Sequence, residues 1–303
     1  MSDTITDTLV ATGTACAKIN LTLDVLGARA DGYHEIRSVT IGVDLRDEIH
    51  VSRSRAVGIA FSCGERHLAW PGNLVPRAAN ELACLGNHQP RLAIELHKNI
   101  PTGSGLGGGS SDAATTLSIC ARLWRLGLSR DDLARIGARL GSDVPLFFHL
   151  PAALMVGRGE LVKDVTMRWS GWVLLVSRGV EVRTADVYAN WRPADSAGAL
   201  ENAEEQILSA GSAQELNALA SNHLQPAVFR VSPEVAQCYH LLNERGHGPM
   251  TITGAGSTMY RLFDDEQEAH DVAGRIEAEG LGLATAVRAA PVGQGPIWVS
   301  EEA

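Results

Sequence analysis

A glycine-rich segment carries the clearest chemical signal in the sequence. It reads Pro-Thr-Gly-Ser-Gly-Leu-Gly-Gly-Gly-Ser-Ser-Asp over residues 101–112, between a stretch that predicts a strand and one that predicts a helix. Glycine tolerates a positive φ and lets a ligand approach the backbone closely. Successive amides of such a loop, together with the start of the following helix, form a binding site for an anion. The segment therefore predicts a phosphate-binding loop rather than a flexible linker.

All twelve residues of this segment are candidate ligands of a nucleotide phosphate, and the serine hydroxyls can also contact Mg²⁺ that is bound to phosphate. They are Pro101, Thr102, Gly103, Ser104, Gly105, Leu106, Gly107, Gly108, Gly109, Ser110, Ser111 and Asp112.

Three other nucleotide-binding motifs fit the segment poorly. Gly103 to Gly108 satisfies the dinucleotide pattern G-x-G-x-x-G, but that fold needs an acidic residue about 20 residues later, where this chain has a basic stretch at 122–125. A Walker A loop needs a lysine after its last glycine, and the segment has none. The catalytic-loop and D-F-G motifs of protein kinases are also missing. A nicotinamide-dependent oxidoreductase is thus a disfavoured alternative.

Three polar residues outside the loop are candidates for catalysis or substrate binding. Asp143 stands two residues before Pro145, so its spacing fits a helix cap as well as a general base. Lys18 and Asn20 alternate with apolar neighbours and lie on the same side of a predicted strand. A strand lysine is ordinarily a solvated surface residue. The spacing alone leaves both interpretations open for Lys18 and for Asp143.

Regular elements that position these residues can be predicted from local patterns. Alternation over residues 15–25 predicts a strand with one buried face. Ser129 with Asp132 resembles a capping box that opens a helix ending near Gly141. Further strands are predicted at 36–43, 47–51, 92–96, 153–156, 172–177, 250–253, 258–263 and 284–288, and further helices at 73–85, from about 110, 232–246 and 264–279. The polar stretch 192–205 predicts a loop or a weak helix start. We place a domain boundary near Gly157, with domains 1–157 and 158–303.

Composition excludes several classes of function. The chain has 303 residues and a net charge of −9 without a basic run, so a nucleic-acid partner is not expected. The ten N-terminal residues lack the features of a signal peptide, and no apolar run reaches the length of a membrane span. The five cysteines are dispersed, and no Cys/His spacing indicates zinc, so no protein-bound metal is predicted. A cytoplasmic protein with a small-molecule partner and no membrane partner is expected; no oligomeric state is implied.

Several segments together resemble the GHMP kinases (galactokinase, homoserine kinase, mevalonate kinase and phosphomevalonate kinase). The loop matches that superfamily. Ala17-Lys-Ile-Asn20 with Ala30-Asp-Gly-Tyr-His-Glu35, and Gly141-Ser-Asp-Val-Pro145, resemble the signatures of one of its families, the 4-diphosphocytidyl-2-C-methyl-D-erythritol kinases. Later matches lie at 184–188 and 253–258. One departure is Asn222-His-Leu-Gln225, where the family commonly has an Asn-Asp-Leu-Glu-like stretch.

The resemblance implies an α+β fold with two domains: a mixed α/β N-terminal domain, like domain 2 of ribosomal protein S5, and a ferredoxin-like C-terminal domain. It implies that ATP, with Mg²⁺ bound through its phosphates, phosphorylates the 2-hydroxyl of 4-diphosphocytidyl-2-C-methyl-D-erythritol in non-mevalonate isoprenoid precursor synthesis. The implied catalytic residues are Lys18 and Asp143, and the implied substrate-binding residues are Asn20, Tyr33, His34, Thr184 and Tyr188. The alternatives are another GHMP small-molecule kinase and a non-catalytic GHMP-like binding protein.

Overall fold

The computed structural model describes residues 9–64, 68, 72–196, 202–289 and 297–300. Its strands are β1 (Leu9–Asn20), β2 (Thr22–Ala28), β3 (His34–Arg53), β4 (Gly58–Cys63), β5 (Arg91–His97), β6 (Ala152–Gly157), β7 (Leu161–Asp164), β8 (Trp172–Ser177), β9 (Ser221–Asn222), β10 (Thr251–Ile252), β11 (Met259–Phe263), β12 (Leu283–Arg288) and β13 (Ile297–Ser300). Its α-helices are α1 (Leu74–Leu85), α2 (Gly108–Leu123), α3 (Arg130–Leu140), α4 (Thr184–Asn190), α5 (Ala203–Ser209), α6 (Ala213–Leu219), α7 (Gln225–Val231), α8 (Pro233–Glu244) and α9 (Glu266–Ala278).

The long strand β3 organises the N-terminal sheet. Its first half pairs with β2, with β6 and with the end of β1, whereas its second half pairs with β1 and β5. The register with β1 shifts between the pairs Cys16–Arg46 and Ala17–Val43, which marks a β-bulge. This bulge explains why the sequence pattern predicts two strands, 36–43 and 47–51, where the structure has one bent strand.

Helices α1, α2 and α3 cover one face of the N-terminal sheet. The face is apolar because Ile49 and Val51 of β3 and Ile94 and Leu96 of β5 point towards α2 and are almost fully buried. The helices begin where the sequence predicts: Asn73 caps α1, and Ser129 with Asp132 forms the capping box of α3. The opposite face of β3 and β5 carries polar residues.

The second half of the chain forms a four-stranded antiparallel sheet in the order β10-β11-β8-β12. That order, with helices inserted after β8 and after β11, is the ferredoxin-like arrangement that the resemblance implies. Helices α7, α8 and α9 contribute to its apolar core. Ser232 caps α8, as the sequence predicts. Of the stretch 192–205, residues 197–201 lie outside the described part, and α5 begins at Ala203.

The two sheets share a core, and the second half of the chain contributes two strands to the first sheet. Ala17, Ile19 and Leu21 of the first half pack in one cluster with Val173 and Tyr260 of the second. The short strand β9 pairs with β2, and β13 pairs with β1, although both come from the second half of the sequence. Strand β7 still pairs with β6. We therefore propose a domain division after Asp164 rather than at Gly157.

Burial of the first strands differs from the sequence expectation. The predicted single strand over 15–25 is interrupted at Leu21, which separates β1 from β2. Both of its faces are buried, since Lys18 and Asn20 are only 3% and 4% exposed. The polar face of the predicted strand faces a cavity between the two sheets, so of the two interpretations left open for Lys18 the solvated surface lysine does not apply. Among the described residues, no helix has the length and apolar character needed to cross a membrane.

Candidate active site

A cavity of about 800 Å³ lies where the two halves of the molecule meet. Most of the residues that the sequence predicts for the site line this one cavity: Lys18, Asn20, Tyr33, His34, Asp143, Thr184, Tyr188 and nine of the twelve loop residues. They come from the end of β1, the start of β3, the loop before α2, the turn after α3, and α4. Segments distant in sequence are therefore brought to one place.

The phosphate loop has the backbone that its glycines predict. Gly103, Gly105 and Gly107 all have positive φ values, between 59° and 81°. Gly107 precedes the first turn of α2, and the first intrahelical bonds of that turn run from Ser110 and Ser111 to its carbonyl oxygen. The earlier amides of the helix have no intrahelical acceptor and are therefore available to an anion. Gly109 has open space where a Cβ would lie.

Three predicted loop residues lie beneath the loop and outside the cavity lining. Leu106 is part of the core, and Ser111 and Asp112 are buried on the inner side of α2. The Ser111 hydroxyl and one carboxylate oxygen of Asp112 have no hydrogen-bond partner. Ser110, by contrast, lines the cavity. The contacts of Leu106, Ser111 and Asp112 with ATP stay predictions, and from these positions we expect them to act by shaping the loop.

Lys18 is held by Asn20 beside the phosphate loop. The Lys18 ammonium donates to Asn20 Oδ1 at 2.6 Å, and Asn20 Nδ2 donates to Ser38 Oγ at 2.7 Å and to Thr40 Oγ1 at 3.2 Å. Burial lowers the pKa of Lys18, while the negative charge of Asp143 opposes that effect. The Asn20 side chain is thus committed to protein partners. Its position supports a role in orienting Lys18 in addition to the substrate contact that the resemblance implies.

Asp143 is half-buried in the turn that follows α3. Pro145 begins a short 3-10 helix, whose capping position is Val144, and no side chain caps it by a hydrogen bond. The helix-cap interpretation of Asp143 therefore has no support in the structure. Its charge acts on two other residues in the cavity, because it opposes the lowering of the Lys18 pKa and adds to the raising of the Tyr188 pKa by burial.

A buried ionic network lies behind the loop and was not predicted from the sequence. Lys98 donates to Asp47 and, at 2.9 Å, to Asp112. Asp47 also accepts the backbone N–H groups of Asn99 at 2.6 Å and Ile100 at 2.8 Å. Burial raises the pKa of Asp112 to about 8, although the charge of Lys98 acts in the opposite direction. The network joins three parts of the fold: β3, the segment that leads into the phosphate loop, and α2. The only sign of it in the sequence was a lysine three residues before Pro101.

A second glycine turn packs directly on the first. Thr258 N donates to Ser104 O at 3.0 Å, and a Cβ on Gly105 would lie 2.2 Å from Thr253 O. A Cβ on Gly254 would lie 3.1 Å from the Lys18 ammonium. Gly254 also lines the cavity. This turn, at residues 254–257 between β10 and β11, therefore helps to confine Lys18.

Aromatic residues gather at the other end of the cavity. Tyr33 is 48% exposed, and the guanidinium carbon of Arg158 lies 4.8 Å from its ring centroid. The His34 ring lies 5.0 Å from the Tyr188 ring and 5.2 Å from the Trp191 ring, by centroid distances. Burial lowers the pKa of His34, which favours a neutral imidazole. Arg158, a cavity residue missed by the sequence analysis, provides a positive charge at this end.

The departure at Asn222-His-Leu-Gln225 has a structural account. His223 Nδ1 accepts the Val25 N–H at 3.1 Å, and its Nε2 lies 3.3 Å from Asp24 Oδ1. Asn222 Nδ2 donates to Ile252 O and Gly254 O, each at 2.8 Å. The stretch therefore ties β2 to the second glycine turn. Position 223, where the family commonly has an acid, is a histidine in this chain. Its acidic neighbour is Asp24 of β2.

The chain matches the models of known protein families and known relatives over most of its length. Residues 73–150 match the GHMP kinases N terminal domain, and residues 199–281 match the GHMP kinases C terminal domain. A 4-diphosphocytidyl-2-C-methyl-D-erythritol kinase of Geobacter sp. (strain M21) is 40% identical over 278 residues, which cover 90% of this chain and 97% of that protein. One of Bacillus mycoides (strain KBAB4) is 34% identical over 259 residues, or 85% of this chain and 90% of that protein.

Solved structures agree with these matches. A crystal structure of 4-(cytidine 5'-diphospho)-2C-methyl-D-erythritol kinase superposes with a TM-score of 0.79 at 30% identity, over 92% of this chain and 99% of that one. Homoserine kinase from Cytophaga hutchinsonii, at 15% identity and a TM-score of 0.73 over 99% of both chains, shares the fold. By these similarities, the chain belongs to the GHMP kinases and, among them, to the 4-diphosphocytidyl-2-C-methyl-D-erythritol kinases.

Proposed function

We propose that this protein transfers the γ-phosphoryl group of ATP to the 2-hydroxyl of 4-diphosphocytidyl-2-C-methyl-D-erythritol, a step of non-mevalonate isoprenoid precursor synthesis. Members of its family are ATP-dependent small-molecule kinases, and relatives at 34–40% identity carry that substrate in their names. The observation that carries the proposal is that Lys18, Asp143 and the phosphate loop line one cavity whose far end is aromatic.

Each end of the cavity suits one substrate. The free amides at the start of α2, with the partial positive charge of the helix, suit the triphosphate of ATP. The rings of Tyr33 and Tyr188 suit a pyrimidine, since aromatic faces stack on bases. His34, held neutral by burial, can exchange hydrogen bonds with the edge of cytosine. Thr184, at the start of α4, lines the same end.

Phosphoryl transfer requires mainly positioning and stabilisation of charge. The bond from the 2-oxygen to the γ-phosphorus forms while the bond to the bridging oxygen of ADP breaks. An aspartate carboxylate is a weak base towards an alcohol, so Asp143 orients the hydroxyl and accepts its proton late in the transfer. Lys18, fixed by Asn20, stabilises the negative charge on the transferred group.

Mg²⁺ fits the donors of this cavity. Ser110 and Asp143 offer a hydroxyl and a carboxylate, and oxygen ligands are those that Mg²⁺ prefers. The ion would enter with ATP, bound through its phosphates, and Ser110 at the start of α2 would offer it a hydroxyl oxygen. When bound, Mg²⁺ neutralises charge on the phosphates.

A coupled assay of ADP release tests the proposal. The panel contains the cytidine diphosphate substrate, its uridine analogue, mevalonate, homoserine and sugars. We expect rapid turnover only with the cytidine substrate. Equal or faster turnover with mevalonate or homoserine would leave the protein a GHMP kinase but would overturn the proposed acceptor.

A further inference from the structure

Four ionisable side chains meet on the outer face of the N-terminal sheet, away from the cavity. Strands β3 and β5 pair so that Glu48 is opposite His97 and His50 is opposite Glu95. The residues between them, Ile49 and Leu96, are buried on the helix-covered face. Because side chains alternate along a strand, all four ionisable groups point to the opposite, open face.

The geometry brings the donor atoms together without pairing them by hydrogen bonds. One donor atom each of His50, Glu95 and His97 lies within 4.8 Å of the other two. His97 Nε2 is 3.4 Å from Glu95 Oε1, and the rings of His50 and His97 are 4.8 Å apart by centroids. Hydrogen bonds in proteins are about 2.7–3.2 Å long. In a tetrahedral zinc site with bonds of about 2.0–2.2 Å, neighbouring ligand atoms are about 3.4 Å apart.

The charge of the group also favours a cation. With neutral imidazoles, Glu48 and Glu95 leave two negative charges, and Glu48 Oε2 is 3.6 Å from His50 Nε2. Arg46, two residues before Glu48 on β3, is paired with Asp44 and donates to Thr14 Oγ1. Of the described residues, no other group of three or more metal-binding side chains converges in this way.

We propose that His50, Glu95 and His97 bind one divalent transition-metal ion, with Zn²⁺ as its best representative, and that water completes the coordination. Two imidazoles and one carboxylate form the donor set that suits Zn²⁺, whereas Mg²⁺ prefers oxygen donors alone. The ion joins β3 to β5, directly before the chain turns into the phosphate loop. The spacing in the sequence does not reveal this site because its ligands come from two separate strands.

Isothermal titration of the full-length, chelator-treated protein with Zn²⁺ tests the site. Cys84 is an exposed free cysteine, and a thiol can also bind zinc, so the titration uses a Cys84→Ser background. We expect one equivalent of Zn²⁺ to bind, in the presence of millimolar Mg²⁺ as well as in its absence. His50→Ala and His97→Ala should each weaken binding by at least about tenfold, as the loss of a ligand demands. Glu95→Gln should weaken it too.

The matched control is His270→Ala, which removes an exposed histidine on α9, a helix that packs on the C-terminal sheet. It should bind Zn²⁺ as the Cys84→Ser background does. Since the ion binds only the folded state, Zn²⁺ should raise the Tm of the background and of the control but not of His50→Ala/His97→Ala. Absence of zinc binding in the background, or equal affinity in all variants, would overturn the proposal.

Discussion

Lys18 carries its positive charge at a buried position, and this has a measurable consequence. Its pKa is lowered by burial, so its ammonium loses the proton at a lower pH than an ordinary lysine, whose pKa is about 10.4. If the charge stabilises the transferred phosphoryl group, kcat/KM falls as the pH rises through that lowered value. Lys18→Arg should retain part of the activity and lose this alkaline decline. A wild-type profile that is flat up to about pH 10 would contradict the role given to Lys18.

Asp143 is expected to act in the chemical step and not in holding the fold. Asp143→Asn removes the proton acceptor but keeps the shape of the side chain, so kcat should fall by about 10²–10⁴-fold. Binding of a non-hydrolysable ATP analogue, measured by calorimetry, should change little. Asp271→Asn, on the exposed face of α9, is the matched control and should keep full turnover. Near-normal turnover of Asp143→Asn would remove Asp143 from the mechanism.

Tyr33 and Tyr188 are expected to determine affinity for the cytidine substrate. Stacking on a base contributes roughly 1–3 kcal/mol, so Tyr33→Ala and Tyr188→Ala should each raise the KM for that substrate about 5- to 150-fold. The KM for ATP should stay nearly unchanged. Replacing the cytidine substrate by its uridine analogue should lower kcat/KM by a similar factor in the wild type and in Tyr33→Ala. The reason is that His34 and the backbone, and not the stacked ring, distinguish the two bases. Unchanged KM values in both alanine variants would contradict the cytidine assignment.

At the scale of the element, the glycines of the phosphate loop differ in the space around them. Gly109 has no neighbour within 4 Å of an added Cβ, whereas at Gly107 the Cβ would lie 2.9 Å from Phe147 Cζ and 3.1 Å from Lys18 Cγ. From the sequence alone, a side chain at position 107 is expected to meet phosphate. The structure directs it into Phe147 and Lys18 instead. Position 109 is therefore the better probe of phosphate binding.

Gly109→Val should weaken ATP binding by at least about tenfold while leaving the Tm nearly unchanged, because it blocks hydrogen bonds from the loop to a charged group. Gly107→Val should lower both the Tm and kcat, because its φ of 75° strains a β-branched residue and its side chain displaces Lys18. Gly274→Val is the control, an exposed helical glycine with open space around it. If calorimetry gives Gly109→Val the affinity of this control, the loop does not bind phosphate as proposed.

Elements specified by local chemistry could be predicted from the sequence. The caps Asn73, Ser129 and Ser232, the alternation of β5 and the short apolar run of β8 are signals that neighbouring residues provide by themselves. Features that depend on long-range pairing could not. The bulge that bends β3 and the addition of β9 to β2 are determined by partners distant in sequence. Among cavity residues, Lys98 and Arg158 were missed for the same reason: only the fold directs their charges inwards.

At the scale of the whole molecule, the shared core predicts that the halves do not fold separately. Ile19 and Leu21 are fully buried against the second sheet, and the Tyr260 hydroxyl donates to Asn20 O at 2.8 Å. A fragment of residues 1–164 would expose this apolar surface, and β1 and β2 would each keep β3 as a partner but lose the strand on their other edge. We expect it to be unfolded or aggregated, and the full chain to unfold in one cooperative transition. A fragment with a dispersed NMR spectrum and a cooperative melt would contradict this.

The contribution of two strands from the second half to the first sheet has a consequence for how such an enzyme diversifies. Strands β9 and β13 complete a sheet whose other strands come from the first half of the chain. Recombination therefore cannot replace one half with that of a related kinase without changing the strand pairing in this sheet. A chimera that joins the first half of one kinase to the second half of another would have mismatched strand pairs at residues 12–15 and 22–23, on either side of Lys18 and Asn20. New acceptor specificity is then more readily gained by point substitutions along the cavity wall, at positions such as Tyr33 and Tyr188, with the scaffold inherited intact.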